Sequence, residues 1–329
     1  MNIYKFLENN YEIKNIDSTE LLYDNMESQS GECLPVLYKE FDIENKYHWL
    51  DRGFLWDYYY SINAGKSEKI LDFGPGDGWP SLILAPFVKR IIGVDASKKR
   101  VEVCRKNAKK LNIENVEFIL NKHKIKLPFN DNSFDGITAA SSVEETPNPI
   151  KILEEFYRVL KPGGIIRIHF CSIDNTDDYF FINKNDQFSL CMNRLDYKND
   201  IITKYRILIR NSKNDFLKKI NYKEDNDFYN KLTKNIDVVK SEFLEVSKTQ
   251  LFQPGIEAYT KILKRIGFED IRSTYSGGYI AKSLFNDKRL NRPENINELD
   301  DYLKPIVKNV VDMKAPGGYS SMLTFKKGE

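Results

Sequence analysis

Two carboxylates and three alternating glycines stand close together in Asp72-Phe-Gly74-Pro-Gly76-Asp-Gly78, followed by the apolar run Ile91-Ile-Gly-Val-Asp95 and then Ala96. A missing Cβ either permits a positive φ or lets a ligand approach the main chain, and amides exposed at a helix start create a local positive potential. A ligand carrying a carboxylate or a phosphate suits such a turn. Asp95, closing the second apolar run, can accept hydrogen bonds from both hydroxyls of a ribose. The pair points to an adenosine-containing cofactor. A dinucleotide competes for the same strand, turn and ribose acid, but its G-x-G-x-x-G spacing is not met, because the third glycine comes one residue early and Trp79-Pro80 follows.

Candidates for proton transfer are few. In Ser141-Ser-Val-Glu144-Glu145-Thr146-Pro147, Glu144 could deprotonate an acceptor, bind a cationic amine or steady a positive charge; the plainer alternative is an acid capping the helix that starts at Asn148. His169 ends an apolar run and His48 sits in an aromatic stretch, and imidazole titrates near neutral pH. Either could be a general base or a packed, hydrogen-bonded side chain. His123, between Lys122 and Lys124, either stacks on a base or faces solvent. Cys33, Cys104, Cys171 and Cys191 show no Cys-x-x-Cys spacing, so no metal site and no disulfide framework is read, and free buried thiols are expected.

These residues need elements to hold them. Strands are expected at Lys69 to Phe73, Arg90 to Val94, Val116 to Ile119, Phe134 to Ala139 and Ile165 to Phe170. Ser97 can cap a helix with Val101, Cys104, Ala108 and Leu111 on one face. Asn148 and Pro149 open another, with Ile150, Leu153, Phe156 and Leu160 inward until Pro162-Gly-Gly164. Such alternation predicts an α/β fold with a parallel, doubly wound sheet. Beyond Phe170, a hairpin is expected from Ser189–Tyr197 and Ile201–Ile209 around Lys198-Asn-Asp200, then charged helical sequence to about Gln250. A helix from Gly255 to Ile266, a strand from Phe268 to Tyr275, a helix from Ile296 to Met313 and a last strand from Ser320 to Lys326 complete the chain. Trp49, Phe54, Trp56, Tyr59 and Tyr60 follow a helical face, so residues 1–65 are expected to form an N-terminal helical cap on a domain of 66–329, itself decorated by insertions at about 173–250 and 277–318.

Leu127-Pro-Phe129, then Asn130-Asp-Asn-Ser-Phe-Asp-Gly-Ile137, then Glu154-Glu-Phe-Tyr-Arg-Val-Leu-Lys-Pro-Gly-Gly164 follow the glycine turn in order. With them the chain resembles the class I S-adenosylmethionine-dependent methyltransferase superfamily, particularly its small-molecule branch, over about Glu68 to Phe170 and more loosely at the final helix and two strands. The resemblance implies a Rossmann-like seven-stranded sheet whose last strand, Ser320 to Lys326, runs antiparallel. It implies S-adenosyl-L-methionine as cofactor, with Asp72 and the amides of Gly74, Gly76 and Gly78 around the methionine part and Asp95 on the ribose. Ala96 and Ser141 count as cofactor contacts in the same reading. Phe118 to Lys124 should lead to the adenine, where His123 and its lysines replace the usual acidic residue. Ser141 to Pro147 should border the methyl group, with Glu144 where many members carry a histidine.

Displacing a methyl group from a sulfonium needs alignment above all, and a base only if the nucleophile arrives protonated. Lys and Arg number 50 against 48 Asp and Glu, a formal charge of +2 that does not favour a nucleic-acid partner. No stretch approaches the roughly 18 apolar residues of a spanning helix, and the start lacks a signal-like run, so a cytoplasmic protein off the membrane is expected. A small-molecule acceptor is the expected partner. The alternatives are an RNA or protein methyltransferase docking through Lys204 to Lys219, with Arg206, Arg210, Lys213 and Lys218, and a cofactor-binding homologue without turnover.

Overall fold

Side chains that alternate along the central strands enter two different cores. The computed structural model describes residues 2–16, 34–35, 38–122, 125–184, 187–223, 227–313 and 322–329. Its strands are β1 (Ile13–Asn15), β2 (Ile70–Phe73), β3 (Ile91–Asp95), β4 (Val116–Leu120), β5 (Phe134–Ala140), β6 (Leu160–His169), β7 (Tyr179–Lys184), β8 (Gln187–Asp196), β9 (Ile201–Ile209), β10 (Phe243–Phe252), β11 (Phe268–Ser273) and β12 (Met322–Lys327). They divide between two compact units, Leu22–Ser172 with Gly255–Glu329, and Met1–Leu21 with Ile173–Pro254.

The larger unit holds a seven-stranded sheet in the order β11-β12-β6-β5-β2-β3-β4. Pairs from β6 to β4 are parallel, and β12 runs antiparallel to both β6 and β11, as the resemblance implies for the last strand. Leu71, Ile92, Ile166 and Leu323 point to one face, against Phe156 of the helix Pro149–Val159 and Leu263 of the helix Ile256–Ile266. Ile70, Ile91 and Met322 point to the other. That period-two division is what a sheet buried on both faces requires.

The second face is covered by the aromatic helix Lys46–Ser61, with Trp49, Leu55, Trp56 and Tyr58 buried, and by the helices Gly277–Asn286 and Ile296–Asp312. A Cβ on Gly53 would lie 2.3 Å from the Gly277 carbonyl oxygen, so two glycines let the first two helices touch backbone to backbone. Arg167 of β6 is fully buried there, with its Nε and Nη2 each donating to Asp57 at 2.8 Å and Nη1 to Thr324 at 2.8 Å. Asp57 also takes the Gly277 amide at 2.6 Å, so one ion pair ties β6, two helices and β12.

The expected cap over 1–65 is therefore divided. Only its later part lies in the larger unit, because the aromatic helix needs the sheet and the 277–312 helices to bury it; the helix Ile3–Asn10 and β1 belong to the smaller unit. The expected insertion at 277–318 is likewise a layer of the larger unit over its described part. Pro162-Gly-Gly164 falls inside β6, since the preceding helix stops at Val159.

The smaller unit has a five-stranded sheet, β1-β10-β9-β8-β7, in which only β1 and β10 pair in parallel. The β8–β9 hairpin is present, with Asp196 opposite Ile201. β10 replaces the helix expected up to Gln250. Its Phe243 and Val246 enter a core with Leu190, Met192, Tyr205 and Ile207, closed by Leu7, Phe216, Phe228 and Leu232 from helices. Among the described residues no helix is long and apolar enough to cross a membrane, and no acid, histidine or cysteine cluster could hold a metal.

Candidate active site

β2 has β3 on one side and β5 on the other, and the chain leaves the carboxyl ends of these strands in opposite directions. Such a switch point opens a crevice. A cavity of about 240 Å³ lies there, with Gly74 and Gly76 after β2, Asp95 and Ala96 at the end of β3, and Ser141 and Ser142 after β5 on its wall.

The glycine turn is built by its neighbours. Gly74 has φ +72°, its amide donates to the Val94 carbonyl at 2.8 Å, and a Cβ there would lie 2.4 Å from Ser142 Cβ. Gly76 has φ +56° and nothing within 4 Å of where a Cβ would be, so its main chain faces open space. Ser142 Oγ donates to the Phe73 carbonyl at 2.6 Å and locks the two loops together. Arg100, buried in the helix Lys98–Lys110, pairs with Asp77 and fixes that helix to the turn.

Asp95 is 6% exposed and lines the cavity. Its Oδ1 accepts the Ser97 amide at 2.8 Å and its Oδ2 the Gly76 amide at 3.3 Å. Burial pushes its carboxyl above the usual range, while the Ser97 and Gly76 amides pull it back. A carboxylate is acceptor-only with about four lone-pair sites, so Asp95, which the Ser97, Gly76 and Ala96 amides already engage, keeps capacity for a hydroxyl donor. Val94, Ile125, Pro147 and Ile152 add apolar walls, and the Asn121 amide donates to the Asp95 carbonyl at 2.9 Å. The residues fit a nucleoside with an anionic or zwitterionic tail.

Asp72 has another task. Buried at 1% exposure, it receives the Ser81 amide at 2.9 Å, the Ser81 hydroxyl, and the Thr138 hydroxyl at 3.2 Å. It pins the turn and β5 to β2 and is not on the cavity wall; burial pushes its carboxyl up to about 6. Gly78 is also off the wall, where a Cβ would lie 2.4 Å from Leu82 Cδ1.

Residues 71–168 match the family described as Methyltransferase domain. A demethylmenaquinone methyltransferase of Geobacillus sp. is 30% identical over 148 residues, 44% of this chain and 63% of that protein. The uncharacterized methyltransferase YcgJ of Bacillus subtilis is 36% identical over 120 residues, 36% of this chain and 47% of that one. Residues 71–168 are thus similar to a methyltransferase domain of the class I S-adenosylmethionine-dependent kind. S-adenosylmethionine is the cofactor that such a domain implies. The match spans less than two thirds of either relative's length. The CcbJ methyltransferase from Streptomyces caelestis superposes with a TM-score of 0.50 at 11% identity, over 97% of this chain and 100% of that chain, a likeness of fold.

Around the methyltransferase cavity the proton-transfer candidates separate. Ser141 takes a left-handed conformation, φ +51°, with its amide donating to the His169 carbonyl at 2.7 Å and its Oγ sharing a hydrogen bond with His169 Nδ1 at 2.9 Å. A non-glycine residue in that region is strained and needs such anchors. Burial lowers the His169 pKa, Arg167 lowers it further and Asp57 opposes them. His169 is not itself on the wall but is bonded to Ser141, which is.

Glu144 is turned away from the cavity. It is 3% exposed and its Oε1 accepts the Cys171 amide at 2.7 Å, tethering the loop to the chain after β6, whereas its neighbour Glu145 lines the cavity. Burial, with Glu144 beside it, pushes the Cys171 thiol up to about 12. His48 is buried with its ring edge-on to Phe41 at 5.5 Å, lowered in pKa by burial, and is absent from the cavity wall. His123 lies outside the described residues. Asn121 falls within the Phe118 to Lys124 stretch expected to lead to the adenine, and Glu145 lines the cavity where Glu144 was favoured; Ile125 and Arg100 were not foreseen.

Proposed function

We propose that this chain transfers a methyl group from S-adenosylmethionine to an oxygen, nitrogen or carbon of a small molecule. The observation that carries the reading is the crevice where Asp95 and the Gly76 main chain meet, with the Ser141–His169 pair at its edge. Asp95 would hold the ribose, the Gly74 and Gly76 main chain would flank the methionine end, and Ala96, Ile125, Pro147 and Ile152 would exclude water. Bound there, the cofactor supplies an electrophilic methyl group on a positively charged sulfur. Glu145 lends the wall a carboxylate of opposite sign.

His169 is the base for acceptors that arrive protonated. With Nδ1–H donated to Ser141 Oγ, Nε2 carries the lone pair and can take a proton from a hydroxyl or an ammonium. The demethylmenaquinone methyltransferase relative, by its name, supports a small-molecule acceptor. Incubating the protein with methyl-labelled S-adenosylmethionine and whole-cell extract, then separating small from large molecules, tests this. Label in the low-molecular-mass fraction supports the reading, and label confined to RNA or protein overturns it.

A further inference from the structure

One face of the five-stranded sheet packs an apolar core, and the other carries a group of polar side chains beside the buried Ile202 and Leu251. Register puts Cys191 of β8, Arg206 of β9 and Ser247 of β10 in one row, and Asn193, Lys204 and Thr249 in the next. Directly opposed residues point to the same face, so these six form one patch, away from the core that holds Leu190, Tyr205 and Ile207. Cys191, Asn193, Ser247 and Thr249 are buried, whereas Lys204 and Arg206 are half-buried. Polar side chains are uncommon in such positions without partners.

Several partners are missing. Arg206 Nε donates to Ser189 Oγ at 3.2 Å, and among the described residues no carboxylate forms an ion pair with Arg206 or Lys204. The nearest acid by register, Glu245, is engaged by Lys14. On either side of Lys204, Asn193 Oδ1 and Thr249 Oγ1 are buried with no hydrogen-bond partner. Both cations also act on the Cys191 thiol, which burial raises to about 11 and they lower.

We propose that Arg206 and Lys204, with the Thr249 hydroxyl, form a recognition site for an oxyanion, the carboxylate or phosphate of a small molecule. Guanidinium and ammonium groups supply the donors such an anion needs, and a hydroxyl can donate as well. The two cations are one strand repeat apart, about 7 Å. That spacing spans one anionic group or a diphosphate, and two cations are too few to hold a nucleic-acid backbone.

The test is calorimetric titration of the full chain at low ionic strength with pyrophosphate, citrate and a short single-stranded RNA. Saturable binding of pyrophosphate or citrate is expected, and which of the two binds tells phosphate from carboxylate. Arg206→Gln should weaken that binding about tenfold, the loss of one charged hydrogen-bonding group. Lys198→Gln, an exposed cation in the β8–β9 turn, should leave it unchanged. Binding of S-adenosylhomocysteine should be the same in Arg206→Gln as in wild type, which shows the variant is folded and separates this site from the cofactor cavity. No saturable binding of either small anion, equal losses in Arg206→Gln and Lys198→Gln, or saturation by RNA alone would each overturn the proposal.

Discussion

The two sheets use their residues in opposite ways. The seven-stranded sheet is buried on both faces, with one polar row from Asp72 through Arg167 to Thr324, and carries its site at the ends of its strands, where Gly74, Gly76, Asp95 and Ser141 are held by main-chain bonds. The five-stranded sheet packs its core on one face and on the other carries a polar group in the middle of strands, beside the buried Ile202 and Leu251. Edge loops can hold a ligand with backbone amides, but a face can offer only side chains. The difference decides which changes break folding and which break binding.

Removing the internal ties of the larger unit should have the greatest effect. Asp57→Ala leaves the buried Arg167 without its carboxylate and should cost about 3–5 kcal/mol in urea unfolding. A loss under 1 kcal/mol would mean that the ion pair does not organise this unit. Gly74→Ala comes next. A left-handed alanine costs about 1–2 kcal/mol and crowding against Ser142 about 1–3 kcal/mol more, and the variant should also lose cofactor affinity.

Asp72→Asn is a pH test. Its folded pKa, about 6, lies above the ordinary aspartate value of 3.8, so the native state binds the proton more tightly. The group's contribution to stability is full at low pH and is lost as pH rises through 6. Between pH 4.5 and 7 wild type should therefore lose roughly 2 kcal/mol from this group, and Asp72→Asn should not. Equal pH slopes would show that Asp72 is not the buried tie described. The smallest effect belongs to the smaller unit, where Glu245→Gln breaks the exposed pair with Lys14 and should change stability by less than about 1 kcal/mol.

Much of the larger unit was legible because each signal was local. Asp95 could be read from an apolar run ending in an acid, and the helices from Ser97 and Asn148 with their spaced apolar residues. Asp72 could not be distinguished from a cofactor contact, because the groups that hold it, Ser81 and Thr138, lie nine and 66 residues away. Glu144 and Glu145 are neighbours in sequence, and the tie of Glu144 to Cys171, 27 residues away, is not visible there. β10 was missed because Lys248, Glu245 and Gln250 interrupt its apolar residues, and a bulge between Phe243 and Glu245 breaks the period-two alternation that a strand would show. β1 was hidden in the same way, being three residues long and stabilised by pairing with β10.

The central claim is that the crevice at the ends of β2 and β3 holds the cofactor through Asp95. The measurement that tests it most directly is calorimetry with S-adenosylhomocysteine on wild type and Asp95→Asn, with NAD as a parallel ligand. Saturable one-site binding of S-adenosylhomocysteine, weakened about 100-fold in Asp95→Asn, with no binding of NAD, is the expected result. Unchanged affinity in Asp95→Asn, or binding of NAD in place of S-adenosylhomocysteine, would contradict it.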